Sequence, residues 1–119
     1  MESVIYQVVK HADPQEILSL YRQAGWWQTD EKPEYLDLVS KIMANSFCFV
    51  IAKIGDELVG MGRAISDGVS DAYIQDVTVR QDLRGQGIGK GIIRTLVGYM
   101  KEKSLQWIGL ISEPGYERF

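Results

Sequence analysis

Apolar residues along this chain follow two rhythms. Residues 4–9, 47–54, 57–65, 72–79 and 105–111 are short apolar or β-rich runs that read as strands. Gly55-Asp56 is a hairpin turn between two of them, which makes 47–54 and 57–65 an antiparallel pair. Elsewhere the spacing is helical. Ile17, Leu18, Tyr21 and Ala24 share one face, as do Leu36, Val39, Ile42 and Met43, and then Ile88, Ile92, Ile93, Leu96, Val97 and Met100. Asp13 caps the first helix, with Pro14 at its first position, Glu16 completing a capping-box pattern and Gly25 ending it. Trp26-Trp27-Gln28-Thr29-Asp30 is a loop, Pro33 starts the second helix and Asn45-Ser46 stops it. Residues 66–71 and 112–115 are turns. The order β-α-α-β-β-β-α-β predicts an α/β fold with a mixed sheet, and residues 1–119 form a single domain without repeat, linker or low-complexity segment.

Composition narrows the setting. The chain is 45% hydrophobic, enough for a real core, and its net charge is −3. No basic face stands out, which argues against nucleic acid as a partner. The single cysteine, Cys48, lies inside an apolar run and reads as a buried, inert thiol. One Cys allows no internal disulfide and no Cys-based zinc site, and the lone His11 has no acidic cluster beside it, so no metal is expected. No signal peptide is recognisable, and no apolar run approaches the roughly 18 residues of a membrane span. A cytoplasmic protein is the expectation.

The chemistry concentrates in Arg84-Gly85-Gln86-Gly87-Ile88-Gly89, between a strand and an amphipathic helix. Glycines at 85, 87, 89 and 91 let the backbone approach a bulky anion. The following helix offers unpaired N–H groups and partial positive charge, and Arg84 adds a permanent cation at the lip. Together these make a phosphate cradle. A P-loop does not fit, because position 84 is Arg where its first Gly belongs and position 91 is Gly where Ser or Thr would hold magnesium. A dinucleotide fingerprint with Glu113 as its ribose-binding acid fits poorly, since residues 80–84 separate the strand from the glycines.

The run Val77-Thr78-Val79-Arg80-Gln81-Asp82-Leu83-Arg84-Gly85-Gln86-Gly87-Ile88-Gly89 resembles the central motif of the GNAT superfamily of acetyl-CoA-dependent N-acetyltransferases. Arg84, Gly87 and Gly89 stand at that motif's defining positions. The element order matches the same fold over the whole chain, and Leu20-Tyr21-Arg22-Gln23-Ala24-Gly25-Trp26 looks like the first-helix ending of many small bacterial members.

The resemblance implies a mostly antiparallel sheet flanked by helices, with acetyl-CoA as co-substrate and no metal. It assigns cofactor binding to Val77, Thr78, Val79, Arg84, Gly85, Gln86, Gly87, Ile88, Gly89 and Lys90. Loop amides from Arg84 to Gly89 would hold the pyrophosphate, while Val77 and Val79 would pair with the pantetheine arm as a strand edge pairs with an extended ligand. The acceptor amine attacks the thioester directly. Asp76 is the candidate base, alone or through a water, and serves equally well as a structural carboxylate pinning the neighbouring chain. Gln75, read as facing the other way, could orient the acceptor or be a plain sheet residue. Trp26, Trp27 and Tyr35 would roof the acceptor pocket, with one of the two tryptophans serving the core. The excess of acidic over basic residues mildly favours a cationic acceptor.

Family members usually continue into a further helix whose tyrosine protonates the departing thiolate, and then into more strand. Here the last elements are expected to be missing, with Tyr116 as substitute acid and a homodimer covering the C-terminal sheet edge. A CoA-binding protein of low or no activity is the alternative.

Overall fold

The structure is a computed structural model that describes residues 3–26 and 34–110. Five strands form one sheet: β1 (Val4–Val8), β2 (Cys48–Ile54), β3 (Glu57–Ser66), β4 (Asp71–Val79) and β5 (Trp107–Leu110). They lie side by side in chain order, antiparallel from β1 to β4, with β5 parallel to β4. Helices α1 (Pro14–Gln23) and α2 (Glu34–Asn45) follow β1, and α3 (Ile88–Glu102) follows β4 after a short 3-10 turn at Gln81–Leu83. The element order is the one read from the pattern.

Two apolar layers hold the sheet between its helices. One gathers Val50, Val59, Ile74, Ile92, Leu96 and Met100 between the sheet and α3. The other gathers Ile17, Tyr21, Val39, Met43, Phe49 and Met61 against α1 and α2. Cys48 is buried in the first layer, and burial pushes its thiol up to about 11.

Local signals explain the element ends. Asp13 accepts the Gln15 N–H at 2.9 Å, as an N-cap should. Glu16 does something other than complete a capping box: it reaches the Leu58 N–H at 3.4 Å and ties α1 to β3. Glycines bring α3 close to the sheet. A methyl group at Gly62 would come within 2.6 Å of Ile92, and one at Gly91 would collide with the Tyr6 hydroxyl. The glycine at 91 therefore serves packing, although it continues the alternation of the loop.

Pairing between β3 and β4 slips at one place. Met61 faces Thr78 but Arg63 faces Gln75, so three steps on β4 stand against two on β3. The extra residue makes a bulge, and Asp76 inside it takes φ 60°. Described pairing of β4 with β5 runs from Asp71 to Ile74, just short of that bulge.

Candidate active site

The bulge turns Asp76 toward α1. Its Oδ2 accepts the Tyr21 hydroxyl at 2.8 Å and the Arg63 Nε–H at 2.7 Å. Asp76 and Arg63 are each about four-fifths buried, so the ion pair is partly shielded from water. Oδ1 accepts no hydrogen bond from a described residue, which leaves that atom for another proton donor. Burial, and then the neighbouring Asp76 charge, push the Tyr21 phenol above its ordinary range, so Tyr21 is a neutral donor.

Gln75 stands opposite Arg63 in the ladder, and cross-strand partners share a face. Asp76 reaches the same Arg63, so Gln75 and Asp76 are turned to one side and do not alternate. The inserted residue cancels the usual period of two. Half-buried Trp26 packs its ring against Tyr21, with centroids 5.6 Å apart, and Tyr35 packs against the same apolar layer. Trp27 and Tyr116 lie outside the described residues, as do Pro33 and residue 111.

Beyond the bulge, no described residue pairs with the side of β4 that faces away from β3. The Arg80 N–H donates to Val59 O at 2.8 Å, so Arg80 points its backbone toward β3. By alternation Thr78 does the same, while Val77 and Val79 point theirs away from β3. The Thr78 side chain is buried. The Val79 carbonyl is already taken: Arg84 Nε donates to it at 2.9 Å.

This alters the reading of Arg84. Its Nη2 donates to the Gln23 carbonyl at 3.3 Å, and its amide closes the 3-10 turn onto Gln81 O at 3.5 Å. The guanidinium thus ties the loop to β4 and α1 through two of its five N–H groups, while the residue stays exposed beside the glycines. Sequence spacing could not show this, because both acceptors are backbone carbonyls that the fold brings in. Two residues went unnoticed in the sequence. Gln23 accepts the Gln81 N–H at 3.0 Å, and Arg80 grips Asp82 with two hydrogen bonds and Glu57 with a third. The Arg80 bonds hold the Asp82 carboxyl below the usual carboxylate range.

The loop itself is built for a close approach. Gly85 and Gly87 have φ 81° and 87°, and a Cβ on either would meet no heavy atom within 4 Å. Gly87 is the N-cap of α3 and offers no side-chain acceptor. The first intrahelical bond at that end runs from the Gly91 N–H to Gly87 O. The N–H groups of Ile88, Gly89 and Lys90 therefore have no acceptor within the helix. They lie at the positive end of a helix dipole, directly after the open glycine turn, which suits a phosphate. Among the described residues no cluster of His, Cys, Asp or Glu could hold a metal ion.

Among the described residues the site is thus a bulged strand followed by a glycine loop and a helix without a side-chain cap. Residues 11–115 match the family model of the acetyltransferase (GNAT) family, and the chain belongs to that family. An uncharacterised N-acetyltransferase of Pyropia yezoensis is 33% identical over 84 residues, which is 71% of this chain and 42% of the relative. The chain thus spans less than half of that relative's length. A GNAT-family acetyltransferase from Streptococcus pneumoniae superposes with a TM-score of 0.76 at 24% identity, covering 97% of this chain and 80% of the other. An aminoglycoside N-acetyltransferase in complex with CoA gives 0.76 at 15% identity, over 96% and 80%. At these identities the two structures show a shared fold. No helix among the described residues is long and apolar enough to cross a membrane.

Proposed function

We propose that this chain is an acetyl-CoA-dependent N-acetyltransferase domain that moves an acetyl group to a primary amine by direct attack in a ternary complex. The observation that carries the reading is the bulge at Asp76. It turns a carboxylate toward the α1 side and leaves Val77 and Val79 with backbone groups facing away from β3. Acetyl-CoA, when bound, supplies the activated acyl group and a thiolate leaving group.

The chain's own residues then have three tasks. Amides from Gly85 to Lys90 hold the pyrophosphate, where a fixed row of donors needs no reorganisation. The Val77 backbone and the Val79 N–H pair with the extended pantetheine arm as a neighbouring strand would. Asp76 accepts the acceptor's proton at Oδ1, directly or through a water, while Arg63 and Tyr21 hold the carboxylate in place. Gln75 shares that side and is placed to orient the amine. Trp26, packed on Tyr21, walls the same side. The fold shared with an aminoglycoside acetyltransferase supports an amine-bearing acceptor.

The test is release of free thiol from acetyl-CoA over a panel of polyamines, aminoglycosides, amino acids and arylamines, with calorimetry of CoA binding. CoA binding together with amine-dependent thiol release is expected. Tight NAD binding with no CoA binding would overturn the reading.

A further inference from the structure

The last turn of α1 holds the glycine loop from outside. Gln23 lies 58 positions before Gln81, yet its side-chain oxygen accepts the Gln81 N–H at 3.0 Å. Its amide nitrogen donates to Ser19 Oγ at 3.2 Å, one turn back along α1, which fixes the amide with its oxygen toward the loop. The backbone carbonyl of the same residue accepts Arg84 Nη2 at 3.3 Å. One residue on α1 thus meets both ends of the 3-10 turn that leads into Gly85.

That turn has no cap of its own. Arg80, at its N-cap position, makes no side-chain cap bond. Arg80 on Asp82 and Arg84 on the Val79 carbonyl hold the turn to itself and to β4, but the two glycines at positive φ that follow are costly to order, since glycine loses more freedom on ordering than any other residue. Gln23 adds a further tie, from a side chain on another element.

We propose that Gln23 is a positioning residue for the anion cradle, its side chain acting through Gln81 to preset the loop amides, beside the Arg84 bond that its backbone carbonyl accepts. The inference rests on the reading that this loop holds the pyrophosphate of CoA. It assigns Gln23 a share of the binding of the phosphate end alone, because the latch, its side chain, bonds Gln81 at the start of the loop and Ser19 on α1, and no described residue of β4. Without it, part of the binding energy would go into ordering the loop.

The experiment compares Gln23→Leu with the wild-type chain on two acyl donors, acetyl-CoA and S-acetylpantetheine, which lacks the pyrophosphate. Calorimetry with CoA and the KM for each donor are the readouts, with thermal melting as the control for folding. The latch requires CoA affinity to fall about tenfold, or about 1.4 kcal/mol. The KM for S-acetylpantetheine, kcat and the melting temperature should stay near wild type. Unchanged CoA affinity, or an equal loss on both donors, would overturn the assignment. Should Gln23→Leu fail to fold, Gln23→Asn, whose amide is one methylene short of Gln81, must show the same split. A wild-type chain that binds no CoA overturns both this inference and the function beneath it.

Discussion

The Tyr21 hydroxyl donates to Asp76 Oδ2 across 2.8 Å, joining residues 55 positions apart. It pins a carboxylate that stands in a left-handed backbone conformation, which a non-glycine residue adopts at a cost and Asp and Asn tolerate best. Arg63 approaches the same oxygen from β3. The bulge, the ion pair and the last turn of α1 are therefore one unit, with Gln23 two residues on from Tyr21 reaching to the glycine loop.

Asp76→Asn separates charge from shape. Asn accepts the same φ and keeps the volume but cannot take a proton. Turnover should fall by roughly 10²-fold or more, with CoA affinity little changed, as read by thiol release and calorimetry. Full activity would make Asp76 a purely structural partner of Arg63. Tyr21→Phe is the companion: it leaves the carboxylate charged and should lower turnover less than Asp76→Asn does.

Two glycines of the loop and helix should fail in different ways. Gly87→Val forces a β-branched residue into φ 87°, where nothing crowds its Cβ. The strain is about 1–2 kcal/mol, and CoA affinity should drop well over tenfold because the loop loses its shape. Gly91→Ala puts a methyl group into the Tyr6 hydroxyl, so its effect should appear as a lowered melting temperature. Equal melting temperatures with equal CoA affinity would contradict both assignments.

Alkaline pH should weaken the fold. Burial raises the Cys48 thiol from an ordinary 9.0 to about 11, so between those values the unfolded chain loses a proton that the folded chain keeps. Stability is then fully present below about pH 9 and falls as pH rises toward 11. Tyr21, raised above its ordinary phenol range, adds a loss of the same sign at higher pH. Urea unfolding between about pH 8 and 11 checks this, and Cys48→Ala and Tyr21→Phe should each flatten the decline. A flat profile in the wild-type chain would speak against both buried groups.

Among the described residues β5 is the last strand of the sheet, and it leaves Trp107 and Leu110 about half exposed, one on each face. Such an edge invites pairing with another chain. Self-association through it is expected in sedimentation at tens of micromolar, and Trp107→Lys should reduce it. A monodisperse wild-type monomer would count against the interface.

The chain's own pattern determined its elements. Continuous apolar runs at 47–54 and 57–65 flank a Gly-Asp turn, and a helical stripe from Ile88 to Met100 follows alternating glycines. These are local signals, because burial imposes a period on neighbouring residues. The glycine turn before α3 was legible for the same reason: Gly85, Gly87 and the helix start lie within a few positions of one another. Which side Asp76 faces was decided only in three dimensions. A single inserted residue on β4 reverses the period of two, and nothing in residues 72–79 marks where it sits. Arg84 is a cation in the sequence, but the folded chain delivers two carbonyls to its guanidinium, from residues 5 and 61 positions away. Gln23 shows the same limit. A glutamine at the end of an amphipathic helix has no local signature of a loop latch, because its partner is fixed by how α1 packs across the sheet.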